Sequence, residues 1–455
     1  MFAILLALPA PEAMPAPAWR VAALVLLMAT WWMTEALPLT VTALLPFLVL
    51  PFAGVLTVAE TASAYYSPIL FLILGGAFVA LAIERTGLHR RLALAIVGRA
   101  GSTAWGLLLA FMTATAIISM IVSNTSTSLI MVPIAVAVLA AGGMEEGETD
   151  GFCGALLMGV AFAASIGGLG TIVGSPTNAI AAGLINRTLG TEIGFMTWAM
   201  FGMPVVVFGI PLAAAILLRV QRVPRDGFDV ESAKSAIGEP GPWSRPERRL
   251  LPVIALVLAG WITLPLVAPL LPAGMVDDAT VAILGGMLLF ALPDGTGRPL
   301  LNWDEANRAP WGVIMMFGGG LALAAGIIES GLAAWLGTAL EPLRAVDVIV
   351  IAFALTALVV LVTEFASNVA TASGVMPVVA SLILATGADP MLLAIPAAFA
   401  ASWGFMLPSG TGPNAIAWAT GHIALPRMLK AGLLLDLAGI MLIVGVTWAI
   451  VAMGG

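Results

Sequence analysis

Of the 455 residues, 61% are hydrophobic and only 9% are charged, with a mean hydropathy of +1.08, and so thin a charged coat cannot cover a water-soluble body of this size. The apolar stretches run continuously and do not alternate, which excludes a β-barrel and leaves an all-α polytopic membrane protein. A net charge of −7 speaks against nucleic acid; the single Cys153 excludes an internal disulfide, and two histidines, His89 and His422, are too few for a histidine-built metal site.

In chain order, the first apolar stretch, 2–10, has neither a basic n-region nor a small-residue cleavage site, and reads as a partial or tilted first helix. Apolar runs then predict spans at 19–37, 39–57, 67–84, 194–218, 250–270, 278–292, 310–328 and 429–453. Two longer stretches, 104–141 and 346–386, read as paired arms, and two more, 152–188 and 390–421, as interrupted helices. The total is about 10–11 transmembrane helices plus two re-entrant hairpins. Arg85, Arg90, Arg91 and Arg99 follow the third full span, and Arg219, Arg222, Arg225, Lys234, Arg245, Arg248 and Arg249 fill the one long polar segment. These eleven of the 18 basic residues mark the cytoplasmic side, which puts Arg298, Arg308, Arg427 and Lys430 inside and the C-terminus outside. The amphipathic stretch 85–100 reads as an interfacial helix, and Trp31, Trp32 and Trp311 as interface anchors.

The segment 219–249 divides the chain into two halves that repeat each other. Gly75-Gly76 matches Gly319-Gly320, Gly87 matches Gly331, Ser123-Asn124 matches Ser367-Asn368 and Pro133 matches Pro377, all 244 positions apart. Further on, 174–180 matches 410–416 at 236, so the second half is eight residues shorter there. Counting spans, Gly75 lies in an out-to-in helix and Gly319 in an in-to-out helix. The repeats therefore have inverted topology, a transporter signature that puts the site near the midplane at the repeat interface.

The repeated motifs are polar where the surroundings are apolar. Ser119 and Thr363 each stand four positions before a Ser-Asn pair, on the same helix face. Neither hairpin tip carries the charged turn that would emerge into water, and irregular backbone at that depth must line a cavity or be buried. The Gly/Pro motifs at 174–178 and 410–414 break their helices and free backbone carbonyls and N–H groups. Free carbonyls with Ser, Thr and Asn oxygens suit Na⁺; free N–H groups at helix starts suit a carboxylate. No Arg or Lys falls in a span core near these motifs, so an anion there is neutralised by cations and dipoles, a physical reason for obligatory co-transport.

With these motifs, and with 31–46 (WWMTEALPLTVTALLP), 164–180 and 406–421, the chain resembles the divalent anion/sodium symporter family, the INDY-type di- and tricarboxylate transporters. The resemblance implies an elevator mechanism, a homodimer in a bacterial cytoplasmic membrane, and protomers split into scaffold and transport parts. The division would be 1–100 scaffold with the interfacial arm, 101–218 first transport repeat, 219–249 cytoplasmic linker, 250–343 scaffold and 344–455 second transport repeat. It implies at least two Na⁺ ions, one at Ser119, Ser123, Asn124 and the Gly174 backbone, the other at Thr363, the Ala366 backbone, Asn368 and the Gly410 backbone. The dicarboxylate would meet Asn124, Thr125, Ser367 and Asn368, with Ser175, Pro176, Thr411 and Gly412 around it. Three positions depart from the family pattern: Val369 lacks the hydroxyl of Thr125, Gly412 stands where many relatives carry Pro, and Thr177 where many carry a second Pro.

The function these readings imply is Na⁺-coupled symport of a small dicarboxylate of the succinate, malate or fumarate type, with no organic cofactor. Within the same fold, a dicarboxylate/citrate exchanger or an H⁺-coupled carrier is the alternative. An intramembrane enzyme lacks its residues: no HExxH, no Ser/His pair and no Lys in a span core. An anion channel would need a continuous polar pore lining. Of the remaining carboxylates, Glu364 lies beside the second cation motif, either adding negative field or titrating there, or simply ending its helix. Glu35 precedes a Leu-Pro break as a partner for free N–H groups, and Asp436, near the start of the last span, reaches toward the headgroups.

Overall fold

Leu-, Ala- and Val-rich runs punctuated by Pro and Gly fold into twenty-two α-helices among the residues that the computed structural model describes, 9–11, 13–144, 147–223, 228–235, 241–272 and 274–454. The first half contains α1 (Ala16–Thr34), α2 (Leu39–Thr42), α3 (Leu45–Phe52), α4 (Val58–Ala64), α5 (Pro68–Thr86) and α6 (Leu88–Val97). It continues with α7 (Ala104–Ser119), α8 (Asn124–Ala141), α9 (Gly151–Gly168), α10 (Pro176–Leu189) and α11 (Phe195–Val220). After α12 (Val230–Ser235) come α13 (Arg245–Val267), α14 (Asp278–Ala291), α15 (Trp303–Ala306), α16 (Trp311–Glu329) and α17 (Leu332–Ala339). The chain closes with α18 (Val348–Phe365), α19 (Asn368–Thr386), α20 (Pro390–Ala400), α21 (Gly412–Trp418) and α22 (Leu425–Gly454). Among the described residues, ten helices are long and apolar enough to cross a membrane. The apolar stretch 2–10 lies almost wholly outside the described residues.

The repeat predicted from sequence is visible helix by helix. α5, α7 and α8 recur as α16, α18 and α19, and the turns that end α5 and precede α17 use Gly87 and Gly331 at φ 79° and 81°. Only glycine enters that left-handed region without strain. The repeats are inverted. Arg308, just before α16, pairs with Glu84 near the end of α5, while Tyr65, just before α5, lies against Gly318 within α16. The two equivalent helices therefore run antiparallel. Each also packs against an element of the other half: a Cβ on Gly75 would sit 2.4 Å from Ala282 of α14, and one on Gly319 2.3 Å from the Ala43 carbonyl just after α2. Glycine lets these backbones touch, as small residues do in membrane interfaces.

Three expectations are corrected. The predicted span 39–57 is the two short helices α2 and α3, because Pro46 cannot donate to a preceding carbonyl and Pro51 weakens the next turn. Trp32 is no interface anchor: it is 1% exposed and its indole donates to the Leu39 carbonyl at 3.2 Å. Asp436 does not reach headgroups; it lies well inside α22 and is 4% exposed. The expected linker is also shorter, since α11 carries Arg219 and α13 carries Arg245, Arg248 and Arg249.

α9 is apolar on every side and buried on every side, from Phe152 to Gly168. It is the post around which α7, α8 and α11 pack. The outer face of α13, with Leu256, Ile262 and Leu266, is exposed and apolar, as a lipid-facing helix requires. At the arginine-rich end, Arg85 binds the Asp294 carboxylate and donates to the Leu300 carbonyl at 2.6 Å, and Arg298 pairs with Glu305 at 2.6 Å. Arg91 pairs with Glu247 at 2.8 Å and lies 4.4 Å from the Trp243 ring centroid, tying α6 to the start of α13.

Candidate functional site

Four helices begin at one place. The hydroxyl of Ser123 caps α8 by accepting from the Ser126 N–H at 3.2 Å, and Ser367 caps α19 by accepting from Ala370 at 3.2 Å. Ser175 caps α10 by accepting from Thr177 at 3.3 Å, and Thr411 caps α21 by accepting from Asn414 at 3.2 Å. Pro176 stands at the first position of α10, where its missing N–H costs nothing. All four caps line a single cavity of about 560 Å³. Among the described residues its lining includes no Arg, Lys or His, and the ionisable ones are Glu35 and Glu364.

Behind each hairpin tip the structure repeats one oxygen cluster. Ser119 Oγ lies 2.8 Å from Asn124 Oδ1 and 2.7 Å from the Ala164 carbonyl. Thr363 Oγ1 lies 3.0 Å from Asn368 Oδ1 and 2.7 Å from the Ala401 carbonyl. A hydroxyl has a single hydrogen, so each cluster holds three oxygens and one proton. Such proton-poor, uncharged oxygen sets suit a hard monovalent cation. Both helix breaks are braced alike: Asn178 Nδ2 donates to Thr171 O at 2.9 Å and Asn414 Nδ2 to Leu407 O at 3.0 Å. The Oδ1 atoms of both asparagines are buried without a hydrogen-bond donor.

The eight residues expected around the substrate, Asn124, Thr125, Ser175, Pro176, Ser367, Asn368, Thr411 and Gly412, all line the cavity. Of the expected cation residues, Ser123, Asn124, Ala366, Asn368 and Gly410 line it too, while Ser119 and Thr363 stand behind the tips with no exposure. Gly174 faces a second cavity of about 190 Å³, which shares Ser123, Ser175 and Pro176 with the first and reaches Glu84 and Arg308. A Cβ on Gly174 would lie 2.5 Å from the Gly168 carbonyl and 3.0 Å from the Ser119 carbonyl. At the cavity the halves meet at Gly412, whose added Cβ would lie 2.5 Å from Thr125 Oγ1.

Sequence reasoning missed Ala164, Ala401 and Gly168. The Ala164 and Ala401 carbonyls complete the oxygen clusters; Ala164-Ser165 matches Ala401-Ser402 only at an offset of 237, one more than the 236 of the following motif. Gly168 carries no polar side chain, yet an added Cβ would sit 2.3 Å from Asn124 Oδ1. Glu35, expected as a partner for free N–H groups, instead ends α1 at φ 49° and lines the cavity with Thr34. Of the readings left open for Glu364, the structure matches the hydrogen-bonded helix-end carboxylate. It is 2% exposed and accepts from Met406 N at 2.9 Å and Leu407 N at 3.1 Å, so it caps free N–H groups of the second break.

With this geometry in hand, comparison with known proteins is informative. The family model for the sodium:sulfate symporter transmembrane region matches residues 1–454. The chain is 38% identical to the sodium-dependent dicarboxylate transporter SdcS of Staphylococcus saprophyticus, covering 99% of this chain and 89% of that protein. It is 37% identical to SdcS of Staphylococcus aureus, covering 96% of this chain and 87% of the relative. Among solved structures it resembles the YdaH transporter of Alcanivorax borkumensis, with a TM-score of 0.57 at 15% identity over 97% of this chain and 99% of that one. It also resembles MtrF of Neisseria gonorrhoeae, with a TM-score of 0.62 at 13% identity over 95% of each chain. At such identities the two structures speak to the fold alone.

Proposed function

Because the chain belongs to the sodium:sulfate symporter family, and is thus a multi-pass integral membrane protein, we propose that it carries a small dicarboxylate across the membrane together with Na⁺. The observation that carries this reading is the convergence of four capped helix N-termini on one cavity without a basic side chain. Each helix start is worth roughly +0.5 charge, so four contribute roughly +2, the complement of a dicarboxylate. Relatives named as sodium-dependent dicarboxylate transporters support the same substrate class.

The two ions bind first. One enters the cluster of Ser119, Ser123, Asn124 and the Gly174 carbonyl, the other that of Thr363, the Ala366 carbonyl, Asn368 and the Gly410 carbonyl. Because each Asn is shared between a cation cluster and the cavity, filling the clusters fixes both amides and leaves their N–H groups for the substrate. One carboxylate then meets Asn124, Thr125 and the start of α10 at Ser175-Pro176. The other meets Ser367, Asn368 and the start of α21 at Thr411-Gly412. Val369 offers no hydroxyl where Thr125 does, so the second carboxylate has one donor fewer. Without the cations, the anion faces Glu35 and Glu364 with only dipoles to hold it, which couples the two fluxes.

The smaller cavity, reaching Glu84 and Arg308 at the arginine-rich end, supports an inward-facing state in a bacterial cytoplasmic membrane. Segments 101–218 and 344–455 would move as the transport part against a scaffold of 1–100 and 250–343, in an elevator cycle within a homodimer joined through scaffold helices. The test is uptake of labelled succinate into proteoliposomes under an inward Na⁺ gradient. Uptake that persists unchanged when K⁺ or choline replaces Na⁺ refutes symport. A thermal-shift screen of C4 and C6 acids with and without Na⁺ separates coupling from substrate choice, since a ligand that binds only the folded state raises its melting temperature.

A further inference from the structure

The smaller cavity ends on an ion pair. It runs from Ser123, Ser175 and Pro176, which it shares with the main cavity, along α5 to Glu84 and Arg308. Between those ends its wall is mostly apolar, with Ile73, Ala77, Leu81, Ile121 and Val173. Among the described residues, Arg308 is the one basic side chain that lines either cavity. It is also held loosely. Arg85, at the same end of the fold, is 17% exposed and binds the Asp294 carboxylate and the Pro299 and Leu300 carbonyls. Arg308 is 67% exposed, and its pairing with Glu84 is a single contact of 3.4 Å. An exposed pair of that kind is weak and opens readily in water, so another carboxylate can take the place of Glu84 on the guanidinium.

The repeat gives this pair no counterpart. At the offset of 244, Glu84 matches Ile328 and Arg308 matches Ala64, neither of them charged. A path built by the inverted repeat along α16 lacks the pair, so the charge belongs to the arginine-rich face alone. We propose that Arg308 is a way station for the dicarboxylate at this cytoplasmic mouth: one substrate carboxylate displaces Glu84 from the guanidinium as the anion enters or leaves. The apolar wall offers an anion no partner, and a cation at its outer end lowers the cost of the passage. Glu84 waits beside Arg308 to take it back, which keeps the station from retaining the anion. In the bound state the substrate lies at the four helix starts and not at Arg308. The station therefore speeds entry and release alike and leaves the equilibrium affinity unchanged.

The inference rests on the dicarboxylate reading of the main cavity, and its test keeps the two apart. Association and dissociation rates of labelled succinate are measured on the purified protein at fixed Na⁺, with choline chloride setting the ionic strength. Arg308→Gln slows both rates about three- to ten-fold at low ionic strength and keeps the equilibrium affinity within about two-fold, as loss of a steering charge at a rim predicts. Arg308→Lys keeps most of the wild-type rate. The gap between Arg308→Gln and wild type narrows as salt shortens the reach of the charge. Glu84→Gln frees Arg308 and speeds both rates. Arg308→Gln with wild-type rates overturns the proposal. So does a loss of affinity carried by dissociation alone, because Arg308 would then hold the bound substrate. A slowing that salt does not relieve reports altered packing and overturns it too. If Arg308→Gln does not fold, Glu84→Gln decides, and unchanged or slower association there overturns the station. Wild-type protein that binds no succinate in Na⁺ sinks the dicarboxylate reading and the station with it, whereas wild-type binding with unaltered rates in the variants sinks the station alone.

Discussion

Gly168→Ala perturbs the proposed first cation site without replacing any group that binds. Gly168 is buried in the last turn of α9, and an alanine Cβ there would lie 2.3 Å from Asn124 Oδ1 and 3.0 Å from its Cγ and Nδ2. Ordinary contact begins near 3.4 Å, so the amide retreats by about 1 Å. That breaks the 2.8 Å approach of Ser119 Oγ to Asn124 Oδ1 and opens the oxygen cluster. Alanine is the better helix former by roughly 1 kcal/mol, so any loss comes from crowding and not from the helix. Overpacking costs about 1–3 kcal/mol. The Na⁺-free site relaxes by moving Asn124, whereas the Na⁺-bound site requires it in place, so the cost falls on binding. The expected result is an increase of roughly 5- to 150-fold in the Na⁺ concentration for half-maximal succinate uptake. Gly159→Ala is the control on the same helix, since its Cβ would meet the movable side-chain ends of Leu108 at 2.7 Å and Met112 at 3.3 Å. It lowers the melting temperature and leaves the Na⁺ response unchanged. A folded Gly168→Ala protein with a wild-type Na⁺ response would refute the assignment of Asn124 as a cation ligand.

Asn124→Ala and Asn368→Ala each abolish uptake while expression and membrane insertion persist; normal transport by both removes the hairpin tips from the site. Gly412→Ala pushes its Cβ to 2.5 Å from Thr125 Oγ1 and forces that hydroxyl off its rotamer. At roughly 0.5–1.5 kcal/mol, dicarboxylate affinity weakens about 2- to 12-fold, while Na⁺-induced stabilisation without substrate is unchanged in a thermal-shift assay. Asp294 gives a pH signature. Burial alone would raise its pKa, but hydrogen bonds from Thr296 and the charges of Arg85 and Arg298 outweigh it and hold the carboxyl below the usual range. Its stabilisation is therefore complete above the unfolded-state pKa of about 3.9 and is lost as pH falls through the lower folded value. Asp294→Asn melts below wild type at neutral pH, and the gap closes in acid; a gap independent of pH contradicts the ion pair.

The membrane class, the repeat and the motif residues were legible because each rests on local chemistry. A run of some twenty apolar residues has no soluble alternative, and Ser-Asn motifs recurring at 244 and Gly/Pro motifs at 236 mark helix starts wherever they fall. Inversion followed from counting crossings. Less was legible where the outcome depended on what lies opposite. Asp436 sits on an apolar helix either way, and only the packing of α11, α18 and α20 against α22 buries it away from the headgroups. Trp32 reads as an anchor until Leu39 is seen to accept its indole hydrogen. The carbonyls of Ala164 and Ala401 have no side-chain signature at all, because every residue carries one and only the fold aims it.

What the sequence determined by itself was which groups exist and how they repeat: short-range caps, breaks and apolar runs are fixed by neighbours a few residues apart. What tertiary structure alone decided was convergence. Four helix caps drawn from segments up to 288 positions apart, Ser123 to Thr411, reach one cavity, where Gly412 lets the start of α21 approach Thr125 of α8. That contact sums four weak dipoles in one place, and no stretch of sequence contains the sum.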